Sequence, residues 1–169
     1  MRMIRLGLCA LALAGWCAAA AAGGYETLKP LLVDAPGWTA EAAEGANMDM
    51  NGMKMVTASR RYQKGETQSL TAQVGLMPAA MAAPVQAMNL NMETDESIVK
   101  TATVDGFTVH HNHEKAQNSG AVMVFLGGAN QASSALFTLE YDGISAQDAM
   151  ALAKRFDWKK MQAATAALR

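Results

Sequence analysis

The dipeptide Asp105-Gly106 constrains this chain most. It sits between two runs of strand-forming residues, Ser97–Val104 (SIVKTATV) and Phe107–His113 (FTVHHNH). Asp-Gly at a two-residue loop suits a type I′ turn, which needs positive φ at both positions and matches the twist of paired strands. A β-hairpin follows, and its register follows from the turn. Val104 faces Phe107, Ala102 faces Val109, Lys100 faces His111 and Ile98 faces His113. A chain committed to such a hairpin must supply more strands to bury its apolar side.

Two more hairpins are legible. Residues 53–62 (MKMVTASRRY) and 66–76 (ETQSLTAQVGL) flank Lys64-Gly65, read as a two-residue turn. That turn sets Ser59 against Leu70, Thr57 against Ala72, Met55 against Val74 and Met53 against Leu76. Met53 and Met55 then fall on the apolar side, with Lys54, Arg60 and Tyr62 on the other. Residues 120–126 (GAVMVFL) and 134–141 (SALFTLEY) form the third pair, joined through a Gly-Gly-Ala-Asn loop and rich in β-branched and aromatic residues.

Helical signals fill the gaps. Tyr25–Val33 reads as a short helix, and Asp34–Trp38 as a turn that delivers Trp38 to the core. Met77, Met81, Val85, Met88 and Met92 recur at steps of three and four and read as a core-facing helical stripe, with Pro84 marking a kink or break. Ser145 and Asp148 resemble a capping box opening a helix with Met150, Ala153 and Phe156 inward. Asp157-Trp158-Lys159-Lys160-Met161 begins a last helix. The expected class is α+β: an antiparallel sheet of about six strands built from hairpins, with helices packed on it.

The N-terminus reads as an export signal. Arg2 and Arg5 precede the apolar run Leu6–Gly15, followed by small residues to Gly24. This is the three-part pattern of a secretory signal peptide, and its apolar run is shorter than a bilayer requires. Residues 1–22 are assigned to the signal and 23–169 to one domain, placed in the periplasm or outside the cell. Leu13–Cys17 approaches a lipoprotein signal with Trp16 where a small residue belongs, so a lipidated Cys17 is the alternative. Both cysteines, Cys9 and Cys17, lie in the removed segment, so the mature chain must be held by its core. Losing Arg2 and Arg5 takes the 14 basic residues to 12 against 15 acidic, net −3. This balance argues against nucleic acid as a partner. No second long apolar run follows, so no integral membrane segment is expected in the mature chain.

The order of elements resembles the PsbP-like α/β/α sandwich of exported bacterial and lumenal proteins. The residues carrying the resemblance are Pro36-Gly37-Trp38, Asn51-Gly52-Met53, Arg61-Tyr62, Asp105-Gly106 and Asp157–Met161. The chain is also similar to uncharacterised exported bacterial proteins with the same closing motif. That family pattern carries no catalytic set, so the resemblance implies a fold and transfers no functional residue.

Two clusters carry chemistry. Residues 47–55 read NMDMNGMKM, four methionines within eight residues. Thioethers are soft ligands suited to Cu(I), and this spacing resembles the methionine motifs of exported copper proteins. With Met53 and Met55 assigned to the core, Met48 and Met50 remain as loop thioethers. All three histidines lie in Val109–His113, where His111 and His113 share one side of a strand and His110 takes the other. Two such imidazoles suit Cu(II) or Zn(II), although Lys100 facing His111 would repel a cation. Glu93, Asp95, Glu96 and Glu114 are the acidic residues within chain reach. The expected metal set is Met48, Met50, His111 and His113, with copper the cofactor if there is one.

No nucleophile elbow, phosphate loop or Ser-His-Asp pattern stands out, and Gly127-Gly128 opens no helix. The functional expectation is an exported, non-enzymatic binding or accessory protein of the cell envelope, whose partner is an envelope protein or small ligand. A periplasmic copper-binding protein and an unrecognised hydrolase are the alternatives.

Overall fold

The computed structural model describes residues 24–50, 53–127 and 133–168. The segment expected to be a signal peptide and the tip of the third hairpin's loop lie outside these residues. Two 3-10 turns, Gly24–Thr27 and Lys29–Leu31, open the described chain. Nine strands follow: β1 Thr39–Ala40, β2 Glu44–Met50, β3 Met53–Lys64, β4 Gln68–Pro78, β5 Asn91–Glu93, β6 Ser97–Val104, β7 Phe107–Glu114, β8 Ser119–Phe125 and β9 Ser133–Asp142. Helix α1 (Ala79–Ala87) separates β4 from β5, and helices α2 (Ala146–Ala153) and α3 (Trp158–Ala166) close the chain.

All nine strands join one antiparallel sheet, in the order β1-β3-β4-β9-β8-β7-β6-β5, with β2 continuing beside β3 along the β1 edge. The class is α+β, with helices on a sheet. The expected six strands correspond to the three hairpins. The extra three, β1, β2 and β5, are edge strands, two of them only two or three residues long, and carry little alternation of their own. Met48 and Met50, expected in a loop, belong to β2 and pair with Met55 and Met53.

The β6–β7 hairpin has the expected register throughout, with positive φ at both Asp105 (52°) and Gly106 (86°). The β8–β9 pair forms as expected, from Gly120 opposite Tyr141 to Phe125 opposite Leu136. The β3–β4 register does not. Tyr62 faces Leu70, Arg60 faces Ala72, Ala58 faces Val74 and Val56 faces Leu76. The loop holds Gly65–Thr67 rather than two residues, and Gly65 takes φ 63°. The pairing shifts by an odd number of residues, so β3 is turned over.

On the first face, Val56, Ala58, Tyr62, Leu70, Ala72, Val74, Phe137, Leu139, Val122 and Val124 form the main core with Leu28, Leu32, Ala149, Phe156, Trp158 and Met161. Two polar residues reach through this face to hold the N-terminal segment. Arg60 donates to the carbonyls of Leu32 (2.7 Å) and Glu41 (2.8 Å) and pairs with Asp34 at 2.7 Å. The Tyr62 hydroxyl donates to Val33 O at 2.8 Å. Burial of its phenol pushes the Tyr62 pKa up to about 12. Trp38 packs partly buried against the core, as expected.

The second face is thinner. Met55, Thr57, Gln73, Met77, Leu136 and Thr138 line a shallow groove of about 90 Å³ there. The expected methionine helix stripe breaks up. Met77 lies near the end of β4, only Met81 and Val85 lie within α1, Met88 is extended and Met92 is in β5. Met81 is 62% exposed, and Met88 and Met92 are about half exposed, so these are not core residues. Pro84 within α1 and the end of the helix at Ala87 accompany the break.

Helix α2 starts at Ser145, whose Oγ accepts from Asp148 N at 3.1 Å, and α3 starts at Asp157, whose carboxylate accepts from Lys160 N at 3.0 Å. Both caps satisfy otherwise orphaned helix amides. No helix among the described residues is long and apolar enough to cross a membrane.

Candidate functional site

Alternation along β7 puts His111 and His113 on the first face and His110 on the second. His113, Gly120 and Tyr141 form one row across β7, β8 and β9. Gly120 has no side chain, so the Tyr141 side chain crosses over β8 and reaches β7. A Cβ at Gly120 would collide with Asn112 O and lie 2.8 Å from Tyr141 Oη. Tyr141 Oη stands 2.8 Å from His111 Nε2 and 3.0 Å from His113 Nδ1. It also lies 3.4 Å from Asn112 O. The His113 and Tyr141 rings stack, and the His111 ring meets Tyr141 edge-on.

One phenol between two imidazoles has one proton to donate and lone pairs to accept. At the shorter contacts this allows a directional chain, in which one ring N–H donates to Oη and Oη–H donates to the other ring; with both rings donating, Oη–H turns to Asn112 O. Burial, followed by the proximity of His113 and Lys100, holds the His111 pKa down to about 4. Burial pushes Tyr141 up to about 12. At neutral pH the phenol and the His111 imidazole are uncharged, which suits a buried hydrogen-bonded group.

The cluster opens toward solvent through His111 alone. His111 lines a groove of about 430 Å³ between the β6–β7 hairpin and α2. Its other walls are Ile98, Lys100, Ala146, Gln147, Met150, Ala151 and Lys154, with no carboxylate among them. Lys100 faces His111 in register and lies 3.8 Å from Glu93. Lys154 pairs with no carboxylate among the described residues.

The expected metal residues separate. His111 and His113 come together on Tyr141. Met48 lies on β2, five strands from β7, or about 24 Å at the usual strand spacing. It also belongs to the other face, since its partner Met55 lines the second-face groove. The four-residue set Met48, Met50, His111 and His113 is therefore not one site. Glu93 sits by Lys100 and Lys115, not by the imidazoles. Among the described residues, no group of three or more His, Cys, Asp or Glu side chains is placed to hold a metal ion.

The sequence reading missed Tyr141, Gly120 and Lys154. The glycine opposite a tyrosine in the third hairpin was the available signal, and only the β7–β8 pairing gives it meaning. His110 stands apart, edge-on to Phe125 at 5.0 Å, with its Nε2 buried and unpartnered. Burial lowers its pKa as well.

The site thus belongs to an α+β fold with one antiparallel sheet, a partly buried His-Tyr-His cluster and a basic groove beside it. No protein-family model, curated protein or solved structure matches this chain.

Proposed function

We propose that this chain is an exported, non-enzymatic binding or accessory protein of the cell envelope, PsbP-like in architecture, that takes a small ligand in the groove beside His111. One observation carries this reading. Ile98, Met150, Ala146 and Ala151 give the groove an apolar floor, while Lys100, Lys154, Gln147 and His111 give it a few polar groups. Small-molecule sites have this composition. The contact of both His111 and His113 with the Tyr141 phenol, rather than with a serine or cysteine, supports a binding role over the hydrolase alternative.

A ligand that binds only the folded chain raises its melting temperature. A thermal-shift screen of small amphipathic compounds should yield hits that Ala151→Trp, which fills the groove, removes. Hits unaffected by Ala151→Trp would locate binding elsewhere and overturn the reading.

The convergence of His111 Nε2 and His113 Nδ1 on one oxygen favours a second reading, Cu(II) bound by the two imidazoles and Tyr141. Electron paramagnetic resonance of protein titrated with Cu(II) tests it. Imidazole nitrogen couplings lost together in His111→Ala and His113→Ala would support it, and a spectrum of free copper would refute it.

A further inference from the structure

The polar rim of the groove has one sign. Among the described residues, Lys100 and Lys154 are the only charged ones lining it, in a chain whose formal net charge is −1. His111 adds a neutral ring whose Nε2 is already engaged by Tyr141, which leaves Nδ1 as the nitrogen available to the groove. Glu93 offsets Lys100 in part, at 3.8 Å. Lys154, the C-cap of α2, has no such offset among the described residues.

The hydrogen-bonded chain decides what His111 offers. In one arrangement His113 Nδ1–H donates to Tyr141 Oη, Oη–H donates to His111 Nε2 rather than to Asn112 O, and the His111 proton sits on Nδ1. The groove then has an N–H donor besides the two ammonium groups that line it. In the opposite direction, His111 Nε2–H donates to Oη and Nδ1 is an acceptor. An anion in the groove favours the first direction, because it accepts from Nδ1–H and neutralises the lysines.

We propose that the groove binds an aliphatic monocarboxylate, its carboxylate among Lys100, Lys154 and the His111 Nδ1–H, and its tail over Ile98, Met150 and Ala151. Two point-charge ammoniums and one ring N–H match a singly charged head, whereas a phosphate would call for more donors or an arginine fork. The apolar floor matches a hydrocarbon tail, each buried methylene contributing to affinity. Tyr141 and His113 act as positioning residues, setting the His111 tautomer without touching the ligand. This inference rests on the groove being the binding site.

Isothermal titration calorimetry with octanoate, octanol and octylamine tests it on the full mature chain. Octanoate should bind about tenfold or more tighter than either of the others, the equivalent of one charge-assisted hydrogen bond. Lys154→Met should weaken octanoate about tenfold and leave octanol unchanged. Imidazole nitrogen resonances should report His111 moving to the Nδ1–H tautomer when octanoate is added, and Tyr141→Phe should abolish that shift. Octanol binding as tightly as octanoate, with both removed by Ala151→Trp, would overturn the carboxylate class and keep the groove as a site. Failure of all three compounds would overturn the groove itself. Octanoate binding that ignores Lys154→Met would also overturn the proposal.

Discussion

The two faces of the sheet are built from different side chains. The first face is aromatic and branched-aliphatic, closed by α2, α3 and the N-terminal 3-10 turns, and it holds the His-Tyr-His chain. The second face and its surroundings are methionine-rich. Met55 and Met77 line a shallow groove, Met48 and Met92 are half exposed, and Met81 projects from α1. Phe137 and Phe156 meet at 4.9 Å in the first face, and Tyr62 meets Phe156 edge-on. Rigid rings specify a packing, whereas unbranched thioethers adapt to whatever surrounds them. The molecule is thus fixed on its first face and tolerant on its second.

The largest expected effect lies in the closed face. Phe137→Ala, at a fully buried position, should cost about 3–5 kcal/mol in urea unfolding. A loss under 1 kcal/mol would break the contrast between faces.

The next effect concerns the crossing of Tyr141 over Gly120. Gly120→Ala should cost about 1–3 kcal/mol by forcing a methyl between Asn112 O and the phenol. Tyr141→Phe should cost about as much, roughly 1–3 kcal/mol, because the buried His113 and the half-buried His111 lose their shared partner.

Acid should sharpen the comparison further, because His111 and His110 lie on opposite faces and both titrate low. A histidine whose folded pKa is depressed is neutral in the native state and takes up a proton on unfolding. Its contribution is complete above pH 6.5 and is lost as pH falls through the folded value, about 4 for His111. Unfolding free energy should therefore fall between pH 6.5 and 4, and His111→Gln should flatten that slope more than a substitution at an exposed acidic residue does. A slope unchanged by His111→Gln would assign the acid sensitivity elsewhere.

The smallest effect belongs to the exposed methionines. Met81→Ala should change stability by no more than about 0.5 kcal/mol. Under limiting hypochlorous acid, peptide mass mapping should find sulfoxide at Met81, Met92, Met88 and Met48 well before Met161, which is fully buried. Early oxidation of Met161 would mean that the closed face opens readily.

The same contrast explains what the sequence could and could not tell. The β6–β7 register was legible to the residue because Asp105-Gly106 permits one tight loop. The β3–β4 register was not, since Lys64-Gly65 suits a short turn as well as it begins a longer one. Alternation held better information than the turn. Leu70, Ala72, Val74 and Leu76 belong opposite Val56, Ala58 and Tyr62, while Thr57, Ser59 and Arg61 match Thr71 and Gln73. Arg60 obscured that pattern, because a guanidinium on an apolar face makes sense only once Leu32 O, Glu41 O and Asp34 are beside it. The methionine stripe misled for a different reason. Thioether residues at helical spacing score as core, yet Pro84 and the short α1 left them at the surface. The pairing of His111 with His113 was visible from alternation, but Tyr141 was not, because it arrives from two strands away across a glycine.

The segregation of methionine by face has a practical consequence. Met150 and Met161 sit with α2 and α3 against the closed core, and Met55, Met77 and Met92 sit on or beside the open side. Carbon-13 labelling of methionine methyls alone would place spectroscopic reporters on both sides of the sheet. A compound entering the groove beside His111 would move the Met150 signal first. Anything settling on the open side would move those of Met55, Met77 and Met92 and leave Met150 and Met161 where they were.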